Sequence, residues 1–478
     1  MPLILGTNSI KDTGYDVANS LRFNSGSSDR LTRSFSAGSS SLWTWSGWIK
    51  RSKLGSRQSI FTAYSSSSNV TRMEFTANDE LKFNDENGGN TNGRIVSTAR
   101  YRDPSAWMHI VFHWDSSDST SADRLRMYVN NVRVTDFSDT GNAPSTTSRL
   151  NTAMTHEIGS ENNGTFFEGY MAEVVFINGA NLDPDQFGEY DEDSPTIWKP
   201  KDVSGLTFGT TGFYLDFEDS SALGNDVSGN NNDWSVSNLT AIDQTTDTCS
   251  NNFAVINPLS IHPSSTFTIT EGNLQFATSS STRGYWISTF GVSSGKWYWE
   301  YKVTNNQART DVGIAGAPAA GNNDPESTGT HDNVTVYLTI NGQVSINSGG
   351  STDNFYNQAT SSNDIIIGTA LDLDSSPNTI AFSIDGEWVT GSGTKSTTFS
   401  SATKINSFTN VASTVNGVYH FIAGDDGGEQ DIGGQANFGN PPFSISSGNS
   451  DANSYGNFEY PVPSGYFALN TKNLAEYG

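Results

Sequence analysis

The chain carries a single cysteine, Cys249, in 478 residues. That excludes an intrachain disulfide framework and any zinc site built on paired thiolates. Basic residues are also scarce: 26 lysines and arginines stand against 51 aspartates and glutamates, for a net charge of -25. Nucleic acid is therefore not an expected partner, since phosphate binding needs a basic face and no Lys/Arg cluster occurs. No stretch approaches the ~20 apolar residues that cross a bilayer as a helix, so membrane insertion is not expected. The opening MPLILGTNSIKDTGYD has only a short apolar run with no basic region before it, and it does not read as a signal peptide. Sustained i, i+3, i+4 apolar spacing is missing as well, which argues against helices.

Hydrophobic residues make up 34% of the chain and aromatic ones 12%, so Phe, Tyr and Trp must supply much of the buried surface. That balance suits thin sandwiches of short strands. Apolar and polar residues alternate over short runs bounded by Gly, Asn, Asp and Ser, as half-buried strands require. WTWSGWIKR (from Trp43) and WMHIVFHWD (from Trp107) are such runs. LRMYVNNVRV predicts a hairpin, with Asn130-Asn131 as a turn that tolerates positive φ. FEGYMAEVVFING follows as a further strand, and LDPDQFGEYDE predicts one helical turn capped by Asp183.

Length alone allows two or three domains at roughly 100 to 200 residues each. The first reads as complete near residue 195, and residues 196–260 read as a connector able to complete the first sandwich. From residue 261 to 478 the alternation resumes in YWISTF, KWYWEYKV, DVGIAG, VYLTI, DIIIGTALDLD, TIAFSIDGEWV, GVYHFIAG and YFALN. Asp385-Gly386 predicts a hairpin turn, and Gly368 a close approach of two strands. The Ser- and Asn-rich run from Ser348 to Asn363 predicts a long rim loop. The fold class is thus all-β: two tandem antiparallel β-sandwich (jelly-roll) domains.

These segments also carry a resemblance. Residues 20–195 resemble the laminin-G-like, concanavalin A-like jelly roll through LRFNSGSSDRLTRSF, WTWSGWIKR, SAWMHIVFHWD, DRLRMYVNNVRV and FEGYMAEVVFING. Residues from about 284 to 443, within 261–478, resemble a SPRY domain through SSGKWYWEYKV, VGIAG, IIIGTALDLD, TIAFSIDGEWV and ANFGNPPF. The pairing, joined by GFYLDFEDSSALGNDVSGNNNDW and closed by NFEYPVPSGYFALNTKNL, resembles virion structural proteins of marine tailed phages. It covers most of the chain and leaves residues 1–19 as an attachment arm. The resemblance implies a location on the virion and partners among other virion proteins. It also implies a tail fibre or spike that recognises a host-surface glycan or protein through rim loops. A capsid ornament or head fibre with an assembly role is one alternative, and a glycan-cleaving enzyme on a jelly-roll scaffold is another. A homo-oligomer is expected, a trimer if the protein is a fibre.

Side chains with chemical potential read mostly as structural. Trp43, Trp45, Trp107, Trp114, Trp297, Trp299 and Trp388 lie in strands whose alternation calls for core residues. His109 and His113 share one strand face; with Ile110, Phe112 and Trp114 on the other, they read as a solvent-facing pair. His156, His262, His331 and His420 show no ligand spacing. Calcium is the one cofactor such rims could hold, on Asp85 to Gly89, Ser117 to Asp123 or Gly424 to Asp431, yet none has EF-hand spacing, so no cofactor or metal ligand is assigned. No nucleophile elbow, metalloprotease helix or phosphate loop occurs. Paired carboxylates such as Asp372 and Asp374, two apart on one strand, have the acid types that glycosidase chemistry needs, but they read as a strand end. No enzyme activity and no catalytic residue is expected.

Overall fold

The computed structural model describes residues 14–478 except 262–266, 279–283, 307–308, 317–332, 340–343, 349–350, 357–362, 392–393, 407, 409, 415 and 426–430. His262, His331 and most of the Gly424 to Asp431 run lie outside the described residues, as does most of the expected attachment arm. Among the described residues the fold is all-β, with one α-helix, Thr471–Tyr477. The chain divides into two units, Thr13–Asn251 and Asn252–Gly478.

The first unit has eighteen strands. They are β1 (Ser20–Phe23), β2 (Arg30–Ser34), β3 (Leu42–Arg51), β4 (Gln58–Ser66), β5 (Asn69–Phe75), β6 (Glu80–Asn87), β7 (Asn90–Arg100), β8 (Trp107–Asp115) and β9 (Leu125–Val129). The rest are β10 (Val132–Arg133), β11 (Phe137–Thr140), β12 (Thr155–Ile158), β13 (Gly169–Asn178), β14 (Gly188–Tyr190), β15 (Trp198–Pro200), β16 (Phe213–Leu215), β17 (Ser235–Ser237) and β18 (Gln244–Thr245). One sheet runs β10-β9-β8-β3-β13-β1-β18, with β16 also on β13; a second runs β11-β7-β6-β5-β4-β12-β2-β17, and β14 and β15 pair apart from both. Every pairing in them is antiparallel.

Strand alternation turns Trp43, Trp45, Phe112, Trp114 and Phe176 of the first sheet onto Phe61, Met73 and Phe83 of the second, all fully buried. Rings interlock across the layers, as in the Trp45–Phe61 stack at 6.4 Å and the Phe83–Trp114 pair at 5.7 Å. Each large apolar side chain so buried contributes roughly 1.5–3 kcal/mol. Of the tryptophans expected in the cores, Trp107 alone is only partly buried.

The outer face of the first sheet is not open to solvent, which corrects the reading of His109 and His113. Phe187, Val203, Phe208 and Tyr214, from the segment after β13, pack on Val111, Tyr128, Val175 and Ile177 as a third layer. Both histidines are 0% exposed beneath it. His109 Nδ1 accepts from Trp198 Nε1 at 3.1 Å, which leaves Nε2 to donate to Ser46 Oγ at 2.8 Å. His113 instead lies against the Tyr128 ring at 5.1 Å. Burial pushes both imidazoles down to about 3. Residues 184–186 form the expected turn as a 3-10 helix, but Asp183 makes no capping bond to it.

In the second unit, one sheet joins Ile256–Ile261, Gly284–Ser288, His420–Asp425, Arg309–Ala315, Asn333–Thr339, Val344–Ser348 and Ser351–Tyr356 in that order. The other centres on Lys296–Asn306, flanked by Ile432–Asn437 and Ile366–Asp372. Ser351–Tyr356 is therefore a strand inside the run expected to be a loop; its polar composition masks the β-prone Thr352, Phe355 and Tyr356. Trp299 stacks on Phe438 at 5.2 Å in the core. Asp385 (φ 50°) and Gly386 (φ 77°) make the expected hairpin turn. A Cβ at Gly368 would lie 2.4 Å from Ser383 Oγ and 2.7 Å from Tyr298 Oη, so the close approach needs glycine.

Candidate functional site

Two hollows of the first unit lie where β10 and β11, the edge strands of its two sheets, come together. Asn130 and Asn131, at φ 48° and 64°, form the tight turn that folds β10 back on β9. The chain then crosses to the other sheet, where Thr98 N donates to Asp136 O at 3.1 Å and β11 pairs with β7. The register slips between Phe137 and Asp139, a bulge that turns the strand at its start. Beyond β11, Gly141 N donates to Arg94 O at 2.8 Å. A Cβ at Gly141 would meet Thr91 Cγ2 at 2.7 Å and Arg94 Cβ at 2.9 Å, so only glycine brings this chain so close to β7.

Two hollows result. The first, of about 250 Å³, has Ile95, Leu125, Phe137 and Pro144 as its apolar floor, with Arg94 and Asn142 at its rim. The second, of about 470 Å³ and more open, has Tyr101, Val129 and Val134 below Thr98, Thr135 and Arg133. Arg94 pairs with Asp139 at 3.0 Å, and Arg133 with Asp123 at 2.6 Å, all four side chains being about a third to a half exposed. The arrangement is an apolar floor ringed by paired charges, hydroxyls and an amide, which can hold a ligand with both a hydrophobic face and hydroxyl edges.

The Asp372 and Asp374 carboxylates are committed to the protein. Asp372 pairs with Lys296 at 3.0 Å and accepts from the backbone N–H groups of Asp374 and Ser375, while Asp374 accepts from Gly295 N at 2.7 Å. The strand ends at Asp372, with Asp374 two residues beyond it. Two further carboxylates, Glu157 on β12 and Glu161 just past its end, escaped the sequence reading. Burial works to raise the Glu161 carboxyl, but Arg72 and then Arg57 hold it below the usual carboxylate range. Glu157 accepts from Ser160 Oγ and, at 3.4 Å, from Asn163 N.

Asp85 is wholly buried and accepts from Thr71 Oγ, Asn92 Nδ2 and Arg149 N, so its oxygens are not an open cation site. Asp115 and Asp118 accept from backbone N–H groups in tight turns. Among the described residues no three His, Cys, Asp or Glu side chains come together to hold a metal ion. His156 and His420 are buried, hydrogen-bonded to Met154 O and Ser288 O at 3.0 Å each. Phe137, Arg94 and Asn142 were not singled out in sequence, since a run such as FSDTGNAPS reads only as a polar turn. The small Gly141 beside Asn142 and Pro144 is the one signal of a tight fold-back there.

Residues 24–185, which hold both hollows, match a family model described as the concanavalin A-like lectin/glucanases superfamily. The first sandwich is concanavalin A-like. No curated protein matches the chain in sequence. Among solved structures, the SPRY domain of human HERC1 is 14% identical over 38% of this chain and 96% of that one, with a TM-score of 0.27. A SAP-like pentraxin from Limulus polyphemus is 16% identical over 35% of this chain and 80% of that one, TM-score 0.27. A putative carbohydrate binding protein from Bacteroides ovatus is 14% identical over 47% of this chain and 61% of that one, TM-score 0.31. Sequence similarity to the superfamily thus falls on the concanavalin A-like domain and on the stretch that builds its groove.

Proposed function

We propose that the chain is a non-enzymatic recognition protein whose concanavalin A-like domain holds carbohydrate in the groove beside β11. The observation that carries this reading is the first hollow, where Phe137 lies in an apolar floor beneath Arg94, Thr140 and Asn142. A sugar ring has an apolar face and a hydroxyl perimeter, and this surface matches both. The marine-phage resemblance of the sequence extends the reading to a virion protein, a tail fibre or spike that meets the host surface. In that setting several copies would multiply weak contacts into firm attachment.

A glycan array probed with the purified protein tests the reading, followed by titration of the best hit against Phe137→Ala and Asn142→Ala. Each variant is expected to weaken binding about tenfold or more, some 1.4 kcal/mol. Binding that both variants leave intact would remove the groove from the account, and a wild-type protein that holds no glycan would remove the function. Antibody labelling of intact particles is expected to mark the tail.

A further inference from the structure

The groove has a form and a charge pattern that narrow its ligand beyond carbohydrate in general. Its two hollows draw on different stretches of β7: Arg94 and Ile95 line the first, Thr98 and Ala99 the second, with Tyr101 just past the strand end. At ~3.3 Å per residue along a strand, their centres lie roughly 15 Å apart, further than one sugar ring reaches. Strand β11 and the chain leading into it stand between, with Phe137 facing one hollow and Asp136 the other.

The charges at the rim cancel in place. Arg94 is matched by Asp139 and Arg133 by Asp123, leaving Asp136 as the surplus among them. The protein as a whole carries -25. An acidic glycan would therefore approach a negative molecule and find each guanidinium already neutralised. An uncharged glycan finds the hydroxyls of Ser121, Thr140, Thr98 and Thr135 and the amide of Asn142 as donors and acceptors along the two hollows.

Resting on the carbohydrate reading above, we infer that the groove takes an internal stretch of an uncharged polysaccharide, several units long, and not a single terminal sugar or an acidic glycan. The test uses the full chain against immobilised neutral glucans, mannans and galactans beside alginate and sulfated galactan. A length ladder of oligosaccharides from the best neutral hit then competes for binding. Affinity is expected to rise at least about tenfold from monomer to tetramer as the second hollow fills. It should also hold within about twofold between ~50 and ~500 mM salt. Thr135→Trp, an exposed substitution that fills the second hollow, is expected to abolish the gain with length while keeping the shortest ligand bound. Preference for alginate or the sulfated polymer with steep salt dependence overturns the inference but keeps the carbohydrate reading. A monomer that competes as well as the tetramer overturns it too, and binding to none of the panel ends both.

Discussion

Glu173 sits in the middle of β13, at φ 50° and only 4% exposed. The register on β3 jumps from Ala172 opposite Trp48 to Val175 opposite Ser46, so Glu173 belongs to a bulge. A left-handed conformation there costs a non-glycine residue about 1–2 kcal/mol. Its carboxyl Oε2 accepts from Tyr214 Oη at 2.8 Å and from Tyr15 Oη at 3.4 Å. Burial pushes this acid up to about 8, and the charges of Asp216 and Glu218 add to the effect against the two tyrosine bonds. The unfolded chain releases this proton near the ordinary 4.5, whereas the folded one keeps it to about 8. Stability from this group is therefore full below about pH 4.5 and falls as pH rises to 8, by a few kcal/mol on the order of 1.4 per unit. Glu173→Gln is expected to leave the melting temperature of the first unit nearly unchanged at pH 5 and to raise it by several degrees at pH 8. Equal shifts at both pH values would show that the carboxyl is not held protonated.

The C-terminal segment of the second unit is an element fastened by buried acids. Glu300, 0% exposed on the central strand, accepts from Tyr460 N at 2.8 Å, Glu459 N at 2.9 Å, and Tyr298 Oη and Asn437 Nδ2 at 3.1 Å each. Asp451 holds Ala468 N at 2.9 Å and Asn473 Nδ2 at 2.8 Å, and Phe467–Ala468 adds a parallel pairing on Trp297 and Tyr298. Glu300→Ala would take the acceptor from four donors, two of them on fully buried side chains, and is expected to cost about 3–5 kcal/mol. Denaturant unfolding of the second unit checks this, and a loss under ~1 kcal/mol would show that the strap is held by packing alone. Elements of this kind mark what sequence patterns can convey. Asn130-Asn131 and Asp385-Gly386 were legible because positive φ has a chemistry of its own, and the aromatic strands because alternation assigns an inner face. His109 and His113 were misplaced because alternation names the outer face but not what covers it. The groove was hidden for a related reason: it arises from a crossing between two sheets, and no local period encodes that.

At the scale of the whole molecule, buried histidines set the acid limit. Burial pushes His109, His113 and His156 of the first unit down to about 3, and His420 of the second down to about 4. Each is free to charge near 6.5 once unfolded, so stability is full above that value and falls as pH drops toward 3. The first unit, with three such groups among the described residues, is expected to melt before the second on acidification from pH 7 to pH 4. Calorimetry that resolves the two transitions checks the order, and a first unit whose melting does not move over that range would sink the idea. Strands β1 and β18 open and close the first unit. Ser20 of β1 lies opposite Thr245 of β18 in an antiparallel pair, so the chain enters and leaves this unit at one spot. Tension carried along the polypeptide would part that pair rung by rung from the loaded end, without shearing all rungs together. The entrance strands would thus act as a fuse, giving slack under a tug while the interlocked tryptophans behind them stay in place.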